Sequence, residues 1–274
     1  MVGAPSVKVK SALDYIEEAC RIVADTILLV ARYMKPGMNT LEIDKIADDY
    51  ICSRGATPSI KNYQVPWTTN INGKQRQLVY QYATCISVND AVVHGVPSKE
   101  RILQEGDIVS FDCLAYKNGY HGDSAYTFAI GAISDEKAKL LRVTQEALML
   151  GLEQATGRNK VYAISGAIQK HVEKNGYSCV RELVGHGVGE TIHEEPSIPN
   201  FIPPLMHREQ YPNVRLRPGQ ALAIEPMVNA GKSKVYTDSD GWTVRTSDGK
   251  PSAHFEHTVI VQEKEPPIIL TLLD

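Results

Sequence analysis

No stretch of this 274-residue chain is apolar for long enough to cross a bilayer: the best run, Ile27 to Ala31, falls far short of the roughly 20 residues a spanning helix needs. The opening Met1-Val2-Gly3-Ala4-Pro5-Ser6 lacks a basic segment followed by an apolar core, so it does not read as a secretory signal. Cysteine is scarce and scattered. Cys20, Cys52, Cys85, Cys113 and Cys179 are odd in number and never fall as C-x-x-C, which argues against a disulfide framework and a zinc ribbon. A basic excess is missing too. The 29 Lys+Arg against 32 Asp+Glu leave a net charge of -3, which speaks against broad nucleic-acid affinity. A reduced, cytoplasmic protein with no membrane segment and no direct nucleic-acid binding is expected.

What the chain does contain is a repeat. Leu13, Ile16, Cys20, Val23, Ile27 and Val30 recur at helical spacing up to Lys35-Pro36-Gly37. Asn39 or Thr40 then caps a second helix through Leu41, Ile43, Ile46, Ala47 and Ile51, ending near Gly55. The same order returns later. Ser134 caps a helix through Leu140, Val143, Ala147, Leu148 and Leu152, and Thr156-Gly157-Arg158-Asn159 leads into another through Val161, Ile164, Ile168 and Val172. His94-Gly95-Val96 resembles His186-Gly187-Val188. Two glycine-marked turns, Leu103-Gln104-Glu105-Gly106 and Leu216-Arg217-Pro218-Gly219, each open an apolar strand that reaches an acid, Asp112 and Glu225. Four matches in register imply duplication. The expected fold is α+β, a single catalytic domain over 1–274 with pseudo-symmetric halves, about 11–133 and 134–262, each an antiparallel sheet covered by helices.

The acids carry the chemistry. Ile108 to Leu114 turns near Lys117-Asn118-Gly119 and returns as Gly122 to Phe128, bringing Asp112 and Asp123 onto one face. With Lys117-Asn118 as the turn they pair directly; with Asn118-Gly119 they are diagonal neighbours. Either register separates them by about 5–8 Å. Carboxylates that close repel unless a cation lies between them or one stays protonated. The second half adds Glu225 and Glu256, both among residues that belong in a core, and His186, set among glycines that allow close backbone approach. Four carboxylates and an imidazole without thiolates suit two divalent cations such as Mn, Fe(II) or Co, sharing bridging carboxylates. His94 stands at the repeat position of His186, and His193 heads His193-Glu194-Glu195-Pro196. His121, His171, His207, His254 and His257 are expected to be structural.

Between Tyr63 and Tyr80 a polar stretch reads as a loop or hairpin, with Asn72-Gly73 a plausible tight turn. The proline-rich Pro196 to Pro218 should run irregularly over the surface.

Taken together, Val92-Val93-His94-Gly95-Val96-Pro97, Gly106-Asp107-Ile108-Val109-Ser110-Phe111-Asp112, His121-Gly122-Asp123, Gly185-His186-Gly187-Val188-Gly189 with His193-Glu194-Glu195-Pro196, Ile224-Glu225-Pro226-Met227-Val228-Asn229-Ala230-Gly231 and Asp240-Gly241-Trp242-Thr243-Val244 resemble the bacterial type I methionine aminopeptidases. The resemblance runs from about Leu13 to Val261 and implies the pita-bread fold. It implies that Asp112, Asp123, His186, Glu225 and Glu256 hold two divalent metal ions, with Asp123 and Glu256 bridging. It implies that His94 and His193 contact the scissile peptide unit and that Glu225 is the general base. Tyr63, Tyr80, Cys85, His94 and Trp242 would wall a methionine pocket. Backbone carbonyls near Asn89 and Ala91, with Ser252, would hold a monovalent cation. The implied partners are nascent polypeptide N-termini with a small second residue, met at the ribosome by a monomer; Met1-Val2 fits that preference, so the chain is expected to process itself.

The sequence departs from the family at Ile192, where phenylalanine is usual, and in longer stretches at 66–76, expected to overhang the site mouth, and 197–217. A proline-specific peptidase of the same fold is the nearest rival. It would carry an extra N-terminal domain, a histidine in place of Glu190 and an Arg-Thr pair where Tyr126-Thr127 stands. A catalytically inactive binding relative would lack a ligand. The type II class needs room for a large insertion between Glu225 and Glu256.

Overall fold

The computed structural model describes residues 11–71 and 74–273. The Met1-Val2 start and the Asn72-Gly73 turn lie outside the described residues. Among those residues no helix is long and apolar enough to cross a membrane.

The first half opens with α1 (Ala12–Tyr33) and α2 (Thr40–Ser53). Both begin in reciprocal caps: Ser11 with Asp14, and Asn39 with Glu42, each pair exchanging side-chain and backbone hydrogen bonds. Their apolar stripes bury Val23, Ile27, Val30, Ile43, Ala47 and Ile51 against the inward residues Ile86, Val109, Phe111 and Cys113 of a sheet. In that sheet the long strand Ile108–Lys117 lies between Thr84–Val88 and Tyr120–Ala129. Strand alternation then sends Asp112 and Leu114 to the opposite face, away from the helices.

The second half repeats the plan. Helices α3 (Asp135–Leu152) and α4 (Val161–Lys174) bury Leu140, Val143, Leu148, Leu152, Ile164 and Ile168 against Leu222, Ile224, Val228, Ala253 and Val259. The strands Glu194–Pro199, Val184–Gly187, Ala221–Ile224, His257–Ile260 and Ile268–Ile269 form one sheet in that order. The chain through Pro199 is therefore strand rather than irregular surface chain, with Ile198 inside it and Asn200 and Phe201 beyond it buried. Alternating apolar contacts with α4 outweigh the two prolines, since the sheet edge tolerates residues without an N–H. Beyond a half-buried Ile202 and a buried Pro203, residues 204–215, through the short helical turn Leu205–His207, are exposed apart from a half-buried Tyr211.

The halves meet in a seam along Tyr120–Ala129, as well as where Val244–Thr246 pairs with Ala91–Val93. Thr258 Oγ1 donates to the Asp123 carbonyl (2.7 Å) and Ser124 Oγ to that of Glu256 (2.6 Å). Glu256 N–H donates to the Ala125 carbonyl (2.9 Å), and Thr127 Oγ1 donates to His254 C=O (2.7 Å). On the far side of the same strand α1 lies so close that a Cβ on Gly122 would come within 2.5 Å of Cys20 N. Backbone cannot yield as a side-chain tip does. Gly122→Ala is thus expected to cost at least the ~1–3 kcal/mol typical of overpacking, read as a lower midpoint in thermal unfolding.

Candidate metal centre

The hairpin register is settled by its turn. Lys117 pairs with Tyr120, so Asn118-Gly119 form the two-residue loop, both at positive φ (52° and 94°), as a type I′ turn requires. Leu114 therefore faces Asp123 and Asp112 faces Ala125, making the two acids diagonal neighbours. On its other side Asp112 pairs with Cys85, which places that thiol on the acids' face.

Glu225 and Glu256 sit where two strands bend. Ile224 pairs with His257 and Met227 with His254; the register is kept across the Glu225-Pro226 and Phe255-Glu256 break, which sets the two acids opposite each other. Proline cannot donate to the ladder, so the break falls there. The freed backbone groups are used elsewhere: Asn200 Nδ2 donates to the Glu225 carbonyl (3.0 Å), and Glu256 bonds the seam strand.

His186 lies on Val184–Gly187, between two neighbouring strands. A Cβ on Gly185 would meet the Ala223 carbonyl oxygen at 2.5 Å and one on Gly187 the Glu195 carbonyl oxygen at 2.6 Å, so glycine is needed on both sides of the imidazole. His186 Nδ1 lies 2.9 Å from the Gly187 carbonyl oxygen. A carbonyl only accepts, so Nδ1 carries the hydrogen and Nε2 presents its lone pair. That lone pair faces Glu225 Oε1 at 3.5 Å and Asp123 Oδ2 at 3.8 Å.

Ligand atoms of Asp123, His186 and Glu256 all lie within 4.8 Å of one another, and all three residues are buried. Asp112 Oδ1, Asp123 Oδ1 and Glu256 Oε1 are buried with no hydrogen-bond partner among the described residues. Lone pairs converging without hydrogens between them are repulsive unless a cation takes the space, so the donor set fits a metal. Its electrostatics agree. Burial pushes Asp112 up to about 7, and burial with mutual repulsion holds Asp123 and Glu256 well above the usual carboxylate range. Burial acts upward on Glu225 as well, but the imidazoles of His254, His186 and His94 outweigh it and hold that carboxyl below its usual value.

These groups form one end of a cavity of about 900 Å³. All the side chains singled out from the sequence line it: Tyr63, Tyr80, Cys85, His94, Asp112, Asp123, His186, His193, Glu225, Trp242 and Glu256, together with Ile192. His193 stands edge-on to His186, ring centroids 4.6 Å apart. The protein packed behind it, with repulsion from His186, pulls its pKa down to about 4. Trp242 meets Tyr80 edge-on at 5.2 Å, and Tyr80 Oη donates to the Thr84 carbonyl (2.9 Å). Burial pushes the Cys85 thiol far up, so it acts as wall and not as nucleophile. The 63–80 stretch is the paired hairpin Tyr63–Ile71 and Lys74–Tyr80, and its base adds Val65 and Leu78 to the cavity wall. Residues 200–217 do not line it. Ser252 N–H donates to the Asn89 carbonyl (2.9 Å), bringing that separate group of residues together.

Sequence reasoning missed His254. Its ring is 1% exposed, and Nε2 lies 3.3 Å from Glu225 Oε2. The available signal was its position two residues before Glu256, which on an extended strand puts both on one face.

Two helix-covered halves meet at a buried cluster of acids and an imidazole that lines a cavity, an arrangement suited to a metal-dependent hydrolase. The chain belongs to metallopeptidase family M24, whose pattern matches residues 14–263, and within it to the methionine aminopeptidases. It is 47% identical to methionine aminopeptidase 1 of Bacillus subtilis over 93% of this chain and 95% of that one. Against the Escherichia coli K12 methionine aminopeptidase it is 38% identical over 94% and 90%. The crystal structure of the Thermotoga maritima methionine aminopeptidase superimposes with a TM-score of 0.85 at 36% identity, covering 97% of this chain and 98% of that one. The fold is accordingly the pita-bread fold expected from the sequence. A prolidase from Pyrococcus furiosus shares the fold alone, at 21% identity and a TM-score of 0.71, over 66% of its own length.

Proposed function

We propose that this protein removes the N-terminal methionine from nascent proteins and peptides whose second residue is small. The observation that carries the reading is the convergence of unpartnered buried carboxylate oxygens and the His186 lone pair in the cavity. Asp112, Asp123, His186, Glu225 and Glu256 would hold two divalent ions; Mn, Fe(II) or Co suits their oxygen-rich set. Bound there, such ions supply Lewis acidity toward the scissile carbonyl and make water a nucleophile near neutral pH.

The chain's own groups divide the remaining work. Glu225, held ionised by its imidazole neighbours, takes the proton of the attacking water and returns it to the leaving amine. His193 hydrogen-bonds the carbonyl oxygen, where negative charge develops, and His94 hydrogen-bonds the scissile nitrogen. Tyr63, Tyr80, Cys85 and Trp242 enclose the methionine side chain, and the free α-amine lies toward Asp112. The whole chain works as one catalytic domain in which halves 11–133 and 134–262 both supply ligands. A monovalent cation at the Asn89, Ala91 and Ser252 group would brace the strand Ala91–Val93 that leads into His94. The same reading makes the protein a cytoplasmic monomer that meets its substrates at the ribosome.

The test is release of methionine after chelation and return of Mn, Co or Fe(II). Met-Ala-Ser should be cleaved well, and Leu-Ala-Ser and Met-Lys-Ser only slowly. No release with any metal would overturn the reading. Ile192 adjoins His193 in the cavity wall, so Ile192→Phe is expected to narrow the pocket and raise the preference for Met-Ala-Ser over Leu-Ala-Ser about tenfold, in kcat/KM.

A further inference from the structure

Each oxygen of Glu225 faces an imidazole nitrogen. Oε1 faces His186 Nε2 at 3.5 Å, and Oε2 faces His254 Nε2 at 3.3 Å. The His254 backbone is fixed on two sides: its N–H donates to Thr127 Oγ1 (2.9 Å), its C=O accepts from the same hydroxyl (2.7 Å), and it pairs with Met227 across the ladder. Its ring is almost fully buried, neither ring nitrogen has a hydrogen-bond partner among the described residues, and the 3.3 Å approach of Nε2 to Glu225 Oε2 is the polar contact within reach. A buried imidazole with one polar neighbour in reach will turn its N–H toward that neighbour.

We infer that His254 is a positioning residue for Glu225, its Nε2–H holding Oε2 so that Oε1 alone is offered to the metal centre and to the reacting water. The inference rests on the metal-centre reading above. A carboxylate fixed at one oxygen presents a single ligand atom in one orientation, whereas a free one rotates and can chelate through both. Partners of this kind tune ligand geometry, and their loss typically costs 10–100-fold in metal affinity or activity. Neither a change of protonation nor contact with substrate is needed for the effect.

The test is Mn²⁺ binding to the chelated full-length protein by calorimetry, with kcat and KM for Met-Ala-Ser at saturating Mn²⁺. His254→Leu keeps roughly the volume and removes the donor; His254→Gln keeps an N–H donor. Expected for His254→Leu are Mn²⁺ affinity weakened about 10–100-fold and a lower kcat with KM within about twofold. His254→Gln should recover most of both, and His254→Leu should add little to Glu225→Gln, because the effect passes through that carboxylate. Wild-type binding and kcat in His254→Leu would overturn this inference alone. Equal losses in His254→Gln and His254→Leu, or losses that add fully to Glu225→Gln, would overturn it in favour of general damage to the fold. Failure of the wild-type protein to bind Mn²⁺ would sink the metal-centre reading first.

Discussion

Glu225→Gln is expected to lower kcat for Met-Ala-Ser by about 10²–10⁴-fold while peptide binding stays within a few-fold of wild type. Of the four clustered acids, Glu225 is the one whose carboxyl lies below its usual range; the other three are pushed up by burial. It is therefore the acid of the four that stays ionised at neutral pH in the metal-free protein, the form a base must start from. Glutamine keeps the size of the side chain, and the Asn200 bond to the backbone carbonyl is untouched. What is lost is the base. Because Glu225 is also a proposed ligand, the measurement belongs at saturating metal, with bound Mn²⁺ counted in both proteins. Near-normal turnover in a fully loaded variant would remove Glu225 from the mechanism.

Chelated protein is expected to lose stability as pH rises from 6.5 to 8.5. An acid whose folded pKa is raised contributes stability below its unfolded value and loses it as pH climbs through the folded value. For Asp112 that window runs from 3.8 to about 7, and for Asp123 and Glu256 it extends further up. Histidines held neutral act with the opposite sign. His193 and His257, both pulled down to about 4, contribute fully above the ordinary 6.5 and lose that contribution as pH falls toward 4. Above pH 6.5 these histidines no longer titrate; the carboxylates do, and the buried thiols of Cys85 and Cys113, pushed far up by burial, begin to act in the same direction near pH 8.5. Each carboxyl that stays protonated in the folded protein costs up to about 2–3 kcal/mol over two pH units. For a chain of this length that corresponds to a fall in Tm on the order of 10 °C. Returning Mn²⁺ should restore it, and by more at pH 8.5, because the cation replaces the protons. A flat or rising Tm in the chelated protein would contradict the buried, cation-seeking cluster.

The helices were legible because their cues are local. Ser11, Asn39 and Ser134 cap as their residue types dictate, and the apolar positions of α1 to α4 fall on the buried side. The site was legible through placement: an acid in an apolar strand, such as Asp112 beside Phe111, has few explanations other than pairing or metal. Between the two hairpin registers the Asn-Gly pair held the answer, since both residues accept positive φ. The bend at Glu225-Pro226 opposite Phe255-Glu256 was not legible, because it depends on a partner strand about 30 residues away. His254 was hidden for a related reason. A lone histidine in a core is more often structural, and only its folded distance to Glu225 separates the two cases. The strand at Glu194–Pro199 was obscured by prolines that a sheet edge accommodates.

The account stands most directly on the return of divalent metal to chelated protein, with bound ions counted and Met-Ala-Ser turnover followed on the same samples. It predicts no turnover in the chelated protein, activity that rises with occupancy to two ions per chain, and loss of both in Asp123→Asn and Glu256→Gln. Full turnover in protein shown to be metal-free, or undiminished metal binding in those two variants, would contradict it.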